Sequence, residues 1–162
     1  MKNSENKKII SRIELIKTVA KLKKKNKKIV ITNGCFDILH PGHISYLKKS
    51  KELGDVLIVL INTDKSVKKN KGPKRPINNL AYREIVLSQL ESVNYITSFS
   101  EKTPEKLYKI LSPSILTKGR DALKKKVAGA LDVKKNGGVI KFINYDSKYS
   151  TTKIIKKISS RY

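Results

Sequence analysis

The sequence predicts one doubly wound α/β domain, a five-stranded parallel sheet with helices on both faces. Two observations carry that prediction. Short β-branched runs alternate with helical periodicities along nearly the whole chain, which is the βα repeat of a parallel sheet. Residues 55–61, Asp-Val-Leu-Ile-Val-Leu-Ile, are almost unbroken apolar sequence, as a strand covered on both faces requires.

The elements follow in order. Residues 10–25 place Ile13, Leu15, Ile16, Val19 and Leu22 at helical spacing, and Ser11 with Glu14 three residues on forms a capping box. Residues 28–32 form a β-branched strand ended by Asn33-Gly34. Helical periodicity resumes over 41–53, with Pro41 suited to the first turn, and the 55–61 strand completes a βαβ unit. Residues 65–79, with Gly72, Pro73 and Pro76, read as a long polar loop, a length that often signals function. A helix near 80–91, a strand at 95–99, a helix at 104–111 and a strand at 114–117 continue the pattern. The turn Asn136-Gly137-Gly138 then introduces a strand at 139–143, and a last helix runs over 150–158. Residues 1–27 are read as a helical extension and 28–162 as the domain proper. The 162 residues suit a single core.

No stretch approaches the roughly 18 consecutive apolar residues of a membrane span, and the polar start is not followed by the apolar block of a secretory signal. Cys35, the one cysteine, has no disulfide partner. The expected compartment is the cytoplasm. A formal charge of +24 raises the prospect of nucleic-acid binding. Only five of the 37 basic residues are Arg, however (12, 75, 83, 120 and 161), and the lysines are spread over every segment. Bidentate recognition of phosphates and bases favours guanidinium over ammonium. Lys, Asn and Ile rise together, as codon bias toward A and T produces, so no specific nucleic-acid partner is expected.

In a doubly wound sheet, ligands bind beyond the carboxyl ends of the strands, where strand order reverses. The first strand-to-helix loop, 33–42, is therefore where to look. Both histidines of the chain, His40 and His43, lie there, straddling Pro41 and Gly42. Three residues apart at a helix start, their side chains can face one way. Gly42 admits a close approach to the backbone, and free amides at the helix N-terminus attract anions. This is a phosphate cradle. Two His at this spacing lack a third zinc ligand, and both the P-loop and the G-x-G-x-x-G fingerprint are absent.

The stretch Thr32-Asn-Gly-Cys-Phe-Asp-Ile-Leu-His-Pro-Gly-His43 strongly resembles the cytidylyltransferase-like nucleotidyltransferases with their H-x-G-H signature. Within them it is most similar to the heptose 1-phosphate adenylyltransferase branch. That similarity rests also on Asn62-Thr63-Asp64, Lys71-Gly72, Arg75-Pro76, Arg83, Lys118-Gly119, Asn136-Gly137-Gly138 and Ser150-Thr151-Thr152 with Ile154-Ile155. It spans about residues 10–158 and looks like the stand-alone form, without the sugar kinase to which such units are often fused.

The resemblance implies a Rossmann-like nucleotidyltransferase that transfers the adenylyl group of ATP to a sugar 1-phosphate, releasing pyrophosphate. In that reading His40 and His43 hold the triphosphate and stabilise its transition state, and Lys71 reaches the phosphates, with Lys68 and Lys69 as substitutes. Ser150, Thr151 and Thr152 offer hydroxyls and amides to the nucleotide's phosphates. Asn33, Gly34, Phe36, Gly42, Lys118 and Asp121 belong to the nucleotide site, Asp37 fixes the loop, and Arg83 projects from its helix toward the phosphates, although Asp37 and Arg83 fit a purely structural role equally well. Mg²⁺ is expected only as the ion accompanying ATP, with no protein ligands. Arg120 and Ala122 depart from the branch's pattern of Gly and Tyr, which bears on sugar or base selection. A homodimer is expected. The alternatives are a CTP-dependent enzyme acting on glycerol 3-phosphate or a related alcohol phosphate, and a basic nucleic-acid-binding module that has lost catalysis.

Overall fold

A computed structural model describes residues 6–123, 127–145 and 148–161. Five strands, β1 (Ile29–Gly34), β2 (Val56–Asn62), β3 (Tyr95–Phe99), β4 (Ile115–Gly119) and β5 (Val139–Ile143), pair in parallel in the order β3-β2-β1-β4-β5. The chain works outward from β1 to β3 and then returns to the other side of β1, so the order reverses between β1 and β4. Any crevice at the carboxyl ends of these two strands is the natural ligand position.

The helices are α1 (Arg12–Lys24), α2 (Pro41–Lys51), α3 (Asp64–Lys71), α4 (Leu80–Ser88), α5 (Glu105–Leu111), α6 (Ala130–Lys135) and α7 (Thr151–Ser159), with a 3-10 turn at Arg120–Ala122. Side chains of a strand alternate between faces, so each strand feeds two cores. Ile29, Ile31, Ile58 and Leu60 pack with Leu15 and Val19 of α1, Tyr108 of α5 and Val133 of α6. Val30, Leu57, Val59 and Ile61 pack on the other face with Tyr46 and Leu47 of α2 and Leu87 of α4. All seven residues of β2 are buried, as its apolar run requires.

The opening helix forms where its capping box lies. Ser11 N–H donates to Glu14 Oε2 at 2.8 Å, and Glu14 N–H donates to Ser11 Oγ at 3.2 Å. Ser11→Ala should cost about 1 kcal/mol in urea unfolding with an unchanged m-value. The segment before α1 also joins the sheet, because Ile96 N–H donates to Lys8 O and Ile10 N–H to Ile96 O.

Three elements differ from the expected pattern. The stretch expected as a polar loop over 65–79 begins as helix α3, capped by the Thr63 hydroxyl and ended by Gly72 in a left-handed conformation at φ 96°. Only Ser66 and Val67 of α3 are buried, too few to show an apolar period. α6 escaped notice for the same reason, since it buries Val133 alone. β4 also runs two residues beyond its apolar part, carrying Lys118 and Gly119 to the carboxyl end of the sheet.

Candidate active site

The carboxyl ends of β1, β2, β4 and β5 and the N-termini of α2 and α7 enclose a cleft of about 660 Å³. Its lining includes Asn33, Gly34, Phe36, Asp37, His40, His43, Lys71, Lys118, Ser150, Thr151 and Thr152. Residues separated by more than a hundred positions in sequence thus converge on one space.

The loop after β1 owes its shape to packing. Phe36 sits at φ 46°, a backbone region costly for a bulky side chain, and is held there by burial of its ring to 5% exposure. The ring lies back over Gly34, where an added Cβ would come within 2.9 Å of it, and 5.2 Å from the His43 ring. Asp37 then secures the loop. Its carboxylate accepts from Arg75 Nε at 2.6 Å and from the N–H groups of Ile77 and Asn78, each at 2.9 Å. Burial works to raise the Asp37 pKa, but the Asn78 and Ile77 amides and the Arg75 guanidinium outweigh it and hold the carboxyl below its ordinary range.

His40 caps α2 with extended backbone and no side-chain capping bond, Pro41 takes the first helical position, and His43 N–H donates to His40 O at 2.9 Å. One turn of helix therefore stacks the two imidazoles, with centroids 3.7 Å apart and planes at 24°. Two rings this close do not share positive charge readily. Burial, then repulsion from His40, pushes His43 down to about 4, and burial lowers His40. At neutral pH His43 is a neutral hydrogen-bonding ring. The buried Nδ1 atoms of both rings have no hydrogen-bond partner, while the Ile38 backbone bonds to the His43 ring and works against the lowering of its pKa.

Positive charge comes from elsewhere. Lys71 ends α3 and lines the cleft beside Asn70, Arg75, Lys102 and Thr103. The loop carrying Lys102 is pinned from both sides. Asn70 Nδ2 donates to Lys102 O, Ser66 Oγ donates to Glu101 O, and Arg12 grips the Glu101 carboxylate with two hydrogen bonds of 2.9 and 2.7 Å. That grip pulls Glu101 down to about 2. Lys118, on the other side of β1, is pushed down to about 8 by burial.

At the far wall Ser150 caps α7 by accepting from Lys153 N–H at 3.2 Å, and Thr151 Oγ1 donates to Ile38 O at 3.3 Å. The second bond ties the α7 N-terminus to the loop that carries the histidines. Both helix N-termini face a common space suited to anions.

Three residues named from sequence stand apart. Arg83 does not line the cleft; it is 2% exposed and braces the loop from behind, donating to Cys35 O at 2.6 Å, Asn78 O at 3.0 Å and Asp64 at 2.7 Å. Its position four residues into α4 turns it inward toward those carbonyls, the structural role that the sequence left open beside a phosphate contact. Gly42 is buried inside the first turn of α2, outside the lining. Asp121 falls in the 3-10 turn, but its side chain lies outside the described residues. Sequence reading missed Lys102, Thr103, Tyr145 and Tyr149 as lining residues. No spacing rule marks them. Asn62 and Arg75 were within stretches that carried the resemblance, and their positions there were the available signal.

Among the described residues no three His, Cys, Asp or Glu side chains converge on one point, and none of the helices is long and apolar enough to cross a membrane.

The chain is similar to several known proteins. The bifunctional protein HldE of Haemophilus influenzae is 50% identical over 150 residues, covering 93% of this chain and 32% of that protein. HldE of Actinobacillus pleuropneumoniae is 48% identical over 152 residues, 94% of this chain and 32% of its own length. The chain thus spans about a third of the curated relatives it matches. A lipopolysaccharide core biosynthesis protein from Thermoplasma volcanium superposes with a TM-score of 0.62 at 34% identity, covering 76% of this chain and 99% of that one. Pantoate-beta-alanine ligase from Francisella tularensis, at 20% identity and TM-score 0.57 over 94% of this chain and 77% of its own, shares the fold. The cytidylyltransferase-like family matches residues 31–157, spanning the sheet, the paired histidines and most of α7, and the chain belongs to that family of nucleotidyltransferases.

Proposed function

We propose that this chain transfers the adenylyl group of ATP to the phosphate of a sugar 1-phosphate, D-glycero-beta-D-manno-heptose 1-phosphate, giving ADP-heptose and pyrophosphate for lipopolysaccharide core synthesis. The observation that carries the reading is the single cleft in which stacked His40 and His43, the α7 N-terminus and the cations Lys71 and Lys118 face one another. The extended similarity to HldE and the name of the Thermoplasma structure support the choice of acceptor.

A phosphate oxygen of the sugar forms the new bond to the α-phosphorus as the bond to the β-phosphate oxygen breaks. The dianionic acceptor needs no base, and pyrophosphate can depart without a proton. The protein therefore has to align the two phosphates and offset their mutual repulsion. Neutral His40 and His43 donate hydrogen bonds to triphosphate oxygens, the α7 amides and hydroxyls hold the departing end, and Lys71 and Lys118 supply charge. A divalent cation fits this cleft as the counter-ion of ATP, held by phosphate oxygens and water, because no cluster of carboxylates faces it among the described residues. It supplies charge neutralisation when bound. We further propose a cytoplasmic homodimer, which sedimentation at several concentrations checks.

The test is pyrophosphate release from ATP and from CTP against a panel of sugar and polyol phosphates. ATP with the heptose 1-phosphate should give the highest kcat/KM. Turnover with CTP alone overturns the assignment, whereas no turnover together with salt-sensitive RNA binding that survives His40→Ala favours a nucleic-acid module.

A further inference from the structure

Tyr108 is a large, wholly buried side chain and belongs to the apolar cluster with Leu15 and Val19 of α1 and Leu107 and Leu111 of α5. It does not line the cleft. A phenylalanine would fill the same space, so the hydroxyl needs a reason of its own. That hydroxyl donates to Asn33 Oδ1 at 2.7 Å and accepts from Lys118 Nζ at 3.2 Å, while Lys118 Nζ also donates to Asn33 Oδ1. Lys118 Nζ stands 5.5 Å from the centre of the Tyr108 ring. Side chains from α5, β1 and β4 close a triangle just beneath the cleft floor.

The triangle dictates an orientation. An ammonium only donates, so the Asn33 atom facing it must be the amide oxygen. The Asn33 NH₂ group is then turned away from Lys118 and Tyr108, and among the described residues no protein acceptor takes it. Asn33 and Lys118 both line the cleft at the reversal of strand order. Lys118 has a third N–H beyond the two bonded within the triangle.

We propose that Tyr108 is a positioning residue whose hydroxyl locks the Lys118 ammonium and the Asn33 amide into a paired donor aimed at a phosphoryl oxygen of the substrate. Which phosphate it meets rests on the adenylyl-transfer reading; the triangle itself does not. Fixing two flexible donors during folding removes that ordering cost from the binding and reaction steps. Burial accounts for the lowered Lys118 pKa of about 8. The titratable groups acting on the triangle from neighbouring elements are Tyr46 and Glu105, which add to the burial that raises Tyr108 well above its ordinary value and keep it a donor. The paired donor is therefore complete below about pH 8 and loses its charge above it.

Tyr108→Phe tests this. It keeps the ring and deletes the hydroxyl. With ATP and the sugar phosphate, kcat/KM should fall about 10- to 100-fold, the loss expected for one hydrogen bond to a charged group. Its alkaline limb should move to lower pH because the ammonium loses an acceptor. Two readouts do not need turnover. NMR titration of the Lys118 side chain without substrate should give a lower pKa in the variant, and calorimetry with pyrophosphate as the probe should show weaker binding. Unchanged pyrophosphate affinity overturns the proposal, even if the Lys118 titration moves, because the triangle would then be purely structural. If the variant does not fold, wild-type protein decides: its Lys118 side-chain resonance should shift when pyrophosphate binds, and a resonance that pyrophosphate leaves unmoved overturns the proposal.

Discussion

His43→Ala is expected to lower kcat by about 10²- to 10³-fold while leaving the fold intact, the loss typical of removing one donor from a site that stabilises developing phosphoryl charge. The ring is a neutral donor at working pH, because burial and the His40 ring 3.7 Å away disfavour its protonation. His40→Ala should cost a similar factor by removing its own donor and the neighbour that orients His43. The two losses should not multiply, since stacked partners act as a unit. Steady-state pyrophosphate release for both single variants and the double variant measures this. A loss smaller than about threefold in both single variants would remove the histidines from the chemistry.

The same replacement should improve acid tolerance. The folded His43 pKa, about 4, lies below the ordinary 6.5, so between these values the unfolded chain binds a proton that the folded one refuses. That linkage favours unfolding progressively as pH falls through the window. Without the imidazole this contribution disappears, and the decline in Tm from pH 6.5 to pH 4 should be shallower for His43→Ala than for wild type. Equal slopes would mean the ring protonates as readily folded as unfolded.

Asp37→Ala should cause the largest loss of stability among loop substitutions, about 3 kcal/mol in urea unfolding. The carboxylate is 1% exposed and is the common acceptor for Arg75 and the amides of Ile77 and Asn78. Removing it leaves two backbone donors and a mostly buried guanidinium unpaired. Because the Asp37 pKa is depressed, its contribution is present above the ordinary carboxylate value of 3.8 and is lost as pH falls through the folded value. Asp37→Asn keeps an acceptor oxygen and should fall between the two. A cost below about 1 kcal/mol for the alanine would show that the loop is held by Phe36 packing and Arg83 instead.

Legibility in the sequence followed how local the determining physics is. β2 was readable because burial on two faces demands an apolar residue at every position, and β3 and β5 were bounded as written. The histidine pair was readable because a strand, a proline and three-residue spacing already imply a helix N-terminus with two side chains on one face. α3 and α6 were not, since each buries so little that its apolar period vanishes. Arg83 illustrates a different difficulty. A basic residue near a phosphate site looks the same in sequence whether it meets phosphate or carbonyl oxygens, and only the packing of α4 against the β1 loop turned it to Cys35 and Asn78.

From the order of residues alone came the βα alternation, the capped first helix and the phosphate-facing turn, because caps, periodicities and helix starts act over a few neighbouring positions. Tertiary structure decided which distant groups meet. It brought Lys71, Lys118 and the α7 N-terminus to the histidines, charged the cleft through lysines while leaving the His43 imidazole neutral, and joined Tyr108 to Asn33 and Lys118. Those outcomes depend on desolvation and on distances between strands far apart in the chain, and both come into being only when the sheet assembles.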